Sequence, residues 1–486
     1  MNTSEFSVGF SSSSDPVTAV EEAWLMGQSE RKSSGTDCIM IFSTSAHNPH
    51  RISELIKLRT GPGVKTMGGY GIGFFGHGFH AHGGIQLALV FIHTDQFQID
   101  LVKTENIHLN QYESGRDLAC KMSELDFVTT PDMLLFYDSI NRKNGRYQIN
   151  CCQYLIDGMA ETLEVLPENI AGAGFYGDIL GKETSQWFNH KVYDQLAFAC
   201  LFSGQINMRT SVISGSYPIS PFLTVTRSHE NRVLEINGEP ATDYIMNLIL
   251  PGESPSSADW RKYAFYVTLG VRTQDRFDPI TDENYLVRLC SGIDLKNKAL
   301  IMFEPDLTEG TVFQLMKLEI KPESIKQKVS DALKESKNER VAFALYIDCG
   351  ARASAYCGLE PEEGLIVRDA IGADIPFLGL YIGVESVKLD QIFRPLDWSG
   401  VLCLFSIDEQ KSLMPAKKAF SRAPDSATKT RAGHRPSQAP VKNKSSEAGF
   451  YKSQLSGLTG TFIRQASEIS KFRHRHHQYE SALQLI

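Results

Sequence analysis

The sequence predicts an α/β protein: mixed sheets built from repeated strand–helix–strand–strand units, packed as two halves and followed by a disordered basic tail. Three observations predict it. Unbroken apolar runs such as Val341–Ile347 fit strands buried on both faces. Each such run ends in a polar turn and is followed by a helical pattern, a small-residue strand with spaced glycines, and another apolar run. Hydrophobic residues make up 42% of the chain and charged ones 22%, which is ordinary for a globular protein, and a length of 486 residues implies two to four domains.

The elements follow in order. Val8–Ser14 reads as a short strand or turn. Asp15-Pro16 opens a helix, with the carboxylate as cap and proline in the first turn. Cys38–Phe42 is a strand ending in Ser43-Thr44-Ser45, and Ile52–Leu58 a short helix. Val64–Phe75 is read as one glycine-rich strand, and Ile85–His93 as the returning one. The order recurs with strand Met133–Tyr137, turn Asp138–Arg146, helix Tyr154–Leu166, glycine passage Ile170–Asp178 and strand Gln195–Ser203. It recurs again with strand Val341–Ile347, turn Asp348–Arg352, helix Pro361–Ile371, glycine strand 376–385 and strand Val401–Ser406. Glycines at strand ends permit positive φ or close approach of backbone or ligand. Three copies of one grammar imply an internal structural duplication.

Between copies two and three, about 210–325, lies a different block. It holds an extended pair over Pro218–Ile236, an Asn237-Gly238 turn and a helix over Pro240–Leu250. Short strands follow at Ala264–Leu269, Tyr285–Leu289, Ala299–Phe303 and Thr311–Met316, as in a small antiparallel sheet. An amphipathic helix, Pro322–Ser336, carries Ile325, Val329 and Leu333 on one face.

Net charge is −8 but unevenly placed: residues 411–486 sum to near +10, leaving the body near −18. An acidic body argues against nucleic acid as the main partner. Residues 409–449 read as a disordered basic linker, and 450–486 as a short helical or disordered segment. No window reaches the ~18 apolar residues of a membrane span, and the opening residues do not read as a secretory signal. The nine cysteines are scattered with no CxxC pair, as expected of reduced thiols in the cytoplasm.

The residues resemble the FIST family across nearly all of 1–408. The likeness rests on Gly9-Phe10-Ser11-Ser12, Asp15-Pro16, Ala19, Phe42-Ser43, the glycines at 68–73 and Gly172–Asp178. It continues at Tyr217-Pro218, Val225-Thr226-Arg227, Val233–Gly238, Pro240-Ala241 and Tyr285-Leu286-Val287-Arg288. It ends at Cys349, Arg352, Pro376, Gly379, Tyr381, Gly383 and Glu385. The resemblance implies a FIST N-like domain over 1–208 and a FIST C-like domain over 209–408. It also implies a cytoplasmic sensory module of prokaryotic signalling proteins that binds a small polar ligand, an amino acid or derivative among the candidates. Phe74-Phe75 stand where the other copies have Asp178 and Glu385. No F-box precedes the match and no kinase-like motif follows it, so the output is expected from a signalling partner, or is absent or truncated.

The constellation best suited to a ligand is Asp348, Cys349, Arg352, Tyr381 and Glu385. Arg352 offers a planar fork for a carboxylate, Glu385 can take an ammonium, and Tyr381 can stack or donate. An internal Arg–Glu brace is the competing reading. Tyr176 and Asp178 form the corresponding pair in copy two, and Arg227 and Arg288 are further candidates for a carboxylate. Two other classes remain open: an enzyme, hydrolase or transferase, using Cys349 and nearby carboxylates, and a ligand-free adaptor. The spacing of glycines at 68–73 is not a nucleotide fingerprint and no phosphate loop occurs, so no cofactor is expected. His77, His80 and His82, with His47 and His50, suggest a metal. They read instead as a solvent-facing loop without acidic or cysteine ligands nearby, and no metal is expected.

Overall fold

The computed structural model describes residues 4–29, 31, 35–143, 146–179, 182–249, 267–273, 284–389, 391–411 and 420. The chain is mixed α/β with several mixed sheets. The linker and terminal segment expected over 409–486 lie, apart from 409–411 and 420, outside the described residues, as do 264–266 of one expected strand.

Three six-stranded sheets share one plan. The first runs Glu5–Ser11, Leu87–His93, Cys38–Ser43, Lys65–Tyr70, Gln186–Phe188, Lys191–Tyr193. The second runs Phe97–Glu105, Leu196–Gly204, Asp132–Asp138, Ile170–Phe175, Val384–Leu389, Ile392–Leu396. The third runs Ile206–Ile213, Gly400–Ile407, Arg340–Cys349, Phe377–Ile382, Gly73–Gly76, Phe79–His82. In each, a leading strand pairs antiparallel with a returning strand, and that with the central apolar strand. The central strand pairs parallel with the glycine strand. The last two strands of every sheet are a hairpin from a different unit. The first unit lends 73–82 to the third sheet, the second lends 186–193 to the first, and the third lends 384–396 to the second. The exchange closes on itself, so the expected duplication is present as three interlocked units.

The apolar runs follow from this layering. Cys38, Met40 and Phe42 point into a core shared by all three sheets, while Ile39 and Ile41 pack beneath the helices Pro16–Ser29 and Pro49–Thr60. Phe343, Leu345 and Ile347 face the same shared core, and Ala344 and Tyr346 face the outer helical layer. Both faces of each central strand are covered, so alternation with polar residues is absent. The shared core is rich in phenylalanine: Phe6 stacks on Phe343 at 5.1 Å and Phe136 on Phe175 at 5.3 Å.

Several expected elements shift. The single strand read over Val64–Phe75 is two strands, broken at Gly71-Ile72 where the chain leaves its own sheet for the third. Within the turn expected over 138–146, Ile140–Lys143 forms a hairpin with Arg146–Ile149. The expected block near 210–325 is a separate antiparallel sheet: Ser216–Pro218, Val312–Leu318, Leu223–His229, Arg232–Ile236, Ala299–Met302, Tyr285–Asp294, Thr268–Arg272. The helix Ala241–Ile249 packs on it around Val225, Ile236, Ile245 and Phe313. Asn237 and Gly238 take φ 52° and 85°, as their turn requires.

Candidate functional site

At the end of Arg340–Cys349 the chain makes one tight turn, Gly350–Arg352, which folds Arg352 back beneath the sheet. Its guanidinium is sealed from solvent. One terminal nitrogen donates to the carbonyls of Ser214 and Trp398, both at 2.6 Å. The other donates to both carboxylate oxygens of Glu363, at 2.6 and 2.5 Å, and Nε lies 3.4 Å from Asp348 Oδ1. Tyr346 adds a hydroxyl bond to Glu363 at 2.7 Å. An ion pair in which one nitrogen serves both carboxylate oxygens, with three further polar neighbours around the guanidinium, lets a buried charge persist.

Glu385 is equally buried, but its contact is the Ser399 amide at 3.4 Å. Burial, then the neighbouring Asp397 and Asp348 charges, raises its carboxyl well above the usual range. Burial and Glu363 do the same to Asp348. Cys349 is a protonated thiol, its pKa raised well above normal by burial and then by Glu385. A thiol in that state is a poor nucleophile. Tyr381 is buried on its strand with Phe75 against its ring, centroids 4.8 Å apart.

The remaining sequence candidates lie apart. Arg288 is fully buried and bidentate to Asp306, with a further bond to the Pro395 carbonyl at 3.1 Å. Arg227 stands on an exposed strand paired with Glu235 at 2.8 Å. Tyr176 packs over Gly383, where a Cβ would meet its ring at 2.5 Å. Asp178 accepts the Lys182 amide at 3.0 Å. Thus neither Arg352 nor Arg288 presents its fork to solvent, because each has an internal carboxylate at hydrogen-bond distance.

A cleft of about 1060 Å³ opens instead between the first and second units. Its lining includes Ser45, His47 and Tyr70 from strand ends of the first unit, Asp138 from the strand end of the second, and 182–185 and 192–195 around the exchanged hairpin. The Tyr70 hydroxyl donates to the His47 carbonyl at 2.8 Å, and its ring meets Trp187 edge-on. The His47 ring is almost fully buried, with Nε2 unbonded among the described residues, and burial lowers its pKa. Asp138 accepts the amides of Ile140 and Gln195 at 3.1 Å each and the Gln195 side chain at 2.9 Å. Burial, opposed by those bonds, lifts its pKa to about 6. Lys182, Glu183 and Asp194 give the rim both signs of charge, and His50 adds an imidazole.

The sequence expectations named strand ends of copy three, and Tyr176 and Asp178 of copy two, but not this cleft as a ligand site. The same signal stood at Ser43-Thr44-Ser45 and at Asp138, the polar turns that close the central strands of copies one and two. The histidine-rich stretch is also not a solvent loop. His80 and His82 lie on Phe79–His82, a strand of the third sheet, half-buried beside Glu362. The acidic neighbour absent from the local sequence arrives from another unit. Burial, with Glu362 opposing it, lowers the His80 pKa.

The fold and its strand-end polar sites define a module of three interlocked α/β units. The chain belongs to the FIST family: the FIST N domain matches residues 37–239 and the FIST C domain residues 241–387. The general role of that family is sensory. A comparison with curated proteins finds no match. A solved structure of a cyanuric acid hydrolase is similar over 84% of this chain and 100% of that one, at 6% identity and a TM-score of 0.34. Among the described residues no helix is long and apolar enough to cross a membrane.

Proposed function

We propose that this chain is the ligand-binding part of a sensory system, and that it takes a small polar ligand, such as an amino acid or derivative, in the cleft between the first and second units. One observation carries the reading: the cleft is walled by strand ends of two units and by the hairpin one lends to the other. A ligand there touches three segments whose relative packing can change, and a ligand shifts such an equilibrium only through contacts that differ between its states. The volume is at the upper end of small-molecule sites, typically ~300–1,000 Å³. Lys182 supplies a positive group and Glu183 and Asp194 negative ones, with the His50 imidazole beside them, a set suited to a zwitterion. Tyr176 and Asp178 adjoin this cleft beside Lys182, whose carbonyl accepts the Gly177 amide at 3.1 Å and whose amide donates to Asp178 at 3.0 Å. In this reading Asp348, Cys349, Arg352, Tyr381, Glu385 and Arg288 brace the fold, Arg227 is a surface pair, and the signal passes to a partner protein.

The test is a thermal-shift screen of the full chain against amino acids and other small metabolites. A stabilising compound should raise Tm with concentration, since binding to the folded state adds stability by mass action. The shift should shrink in Lys182→Ala and His50→Ala, both rim substitutions. Shifts that survive both substitutions unchanged would move the site elsewhere.

A further inference from the structure

We propose that His80, His82 and Glu362 form a three-ligand site for a divalent first-row transition ion, zinc being the best fit, across the joint between the first unit's lent hairpin and the third unit. The site is separate from the cleft and does not depend on it. His80 and His82 are two apart on one strand, so both rings fall on the same face. Their centroids are 5.1 Å apart. Glu362 comes from the start of helix Glu363–Ile371 and turns its carboxylate towards them. One donor atom from each of the three lies within 4.8 Å of the others, with His80 Nε2 and Glu362 Oε2 at 3.8 Å.

Those separations are too long for hydrogen bonds. They are also longer than the ~3.3 Å between donors around a tetrahedral zinc with ~2.0–2.1 Å bonds, so each side chain must swing inward on loading. The carboxylate supplies an independent reason to expect a cation. Glu362 is 6% exposed, Oε2 accepts the Ser354 amide at 2.9 Å, and Oε1 is buried with no hydrogen bond among the described residues. A buried carboxylate oxygen left unbonded is costly, and one divalent ion at the centre of the trio would satisfy it. The only nearby guanidinium acting on His80, that of Arg368 among the described residues, is held by Asp369 at 2.8 and 2.6 Å. The Tyr381 hydroxyl faces the same site, 3.3 Å from His80 Nε2 and interacting with the Glu362 carboxylate, and it would release that nitrogen on loading.

Two imidazoles and one carboxylate are a ligand set that zinc accepts with a fourth position open. Such an ion would pin the lent hairpin to its host.

The experiment uses the full chain with His474→Ala, His476→Ala and His477→Ala, which removes the histidine cluster of the tail. The metal-stripped protein is titrated with cobalt(II), followed by its visible absorption, and with zinc against a chromogenic chelator. One equivalent is expected, with a rise in Tm on loading. His80→Ala, His82→Ala and Glu362→Gln should each weaken binding by at least about tenfold. Absence of stoichiometric binding in the tail-substituted protein overturns the proposal without recourse to any site variant. So does unchanged affinity in folded His80→Ala or His82→Ala, checked by far-UV circular dichroism.

Discussion

Asp397 shows how one residue sets a pH response. Its Oδ2 accepts the Leu289 amide at 3.0 Å, Oδ1 has no hydrogen bond among the described residues, and Arg288 lies close by. Burial outweighs the arginine and raises its pKa to about 6 from 3.8. A folded pKa above the unfolded one gives stability that is present in full below pH ~4 and is lost as pH rises through about 6. Asp397→Asn keeps the shape and the acceptor and removes the titration. Relative to wild type, the variant should therefore gain stability between pH 4 and 7, on the order of 3 kcal/mol at most. Asp132 and Asp138, also raised to about 6, keep part of the slope in both proteins. Urea unfolding at pH 4.5, 5.5 and 6.5 measures it, and parallel profiles for the two proteins would contradict the assignment. The glycines were read as sites of close approach, and Gly379 is one: a Cβ there would meet the lent Phe75 ring at 2.1 Å. What approaches is another unit, which the pattern of glycines cannot distinguish from a ligand.

Helix Cys152–Thr162 illustrates the element scale. Its cap residue, Cys151, makes no side-chain cap bond. Glu304, from the inserted sheet, instead accepts the amides of Cys152 at 3.0 Å and Gln153 at 2.9 Å. Its oxygens meet the unbonded N–H groups of the helix start, while burial and then the Asp397 charge raise its carboxyl well above the usual range. Glu304→Ala should cost about 2–3 kcal/mol, because two donors, one fully and one partly buried, lose their acceptor. The loss should appear as earlier amide exchange in 152–155 than in the distant helix Pro16–Ser29, and uniform exchange in both would count against the cap. Local caps were legible: Asp15 does bond the Thr18 amide at 2.8 Å. This remote one was not, since nothing near residue 151 announces it. Strand Phe97–Glu105 and helix Gln111–Met122 are likewise not among the elements the sequence predicts. The helix buries Gly115 and Ser114 beside Leu118, and small residues give little hydrophobic signal. Gly115 and Gly158 allow two helices to touch, a Cβ on either meeting a backbone oxygen at 2.0 Å.

At the scale of the molecule, the repeated grammar revealed three units but not their exchange of hairpins. Both sides of the break at Gly71-Ile72 are apolar, so a strand that continues and a chain that changes sheets look alike in sequence. The exchange makes the halves interdependent. The second sheet ends on Val384–Leu389 and Ile392–Leu396, and the third ends on Gly73–Gly76 and Phe79–His82. Residues 1–208 alone would leave Ile170–Phe175 without its antiparallel partner and the lent Phe74 and Phe75 without a host, exposing part of the shared phenylalanine core. A new sheet edge of that kind invites association. The fragment 1–208 is therefore expected to aggregate or to bind apolar dye when expressed by itself, and to be rescued by co-expression of 209–486. If 1–208 instead unfolds cooperatively as a monomer with native-like amide protection in 170–175, the lent hairpin contributes little, and the interlocking would describe connectivity without governing stability.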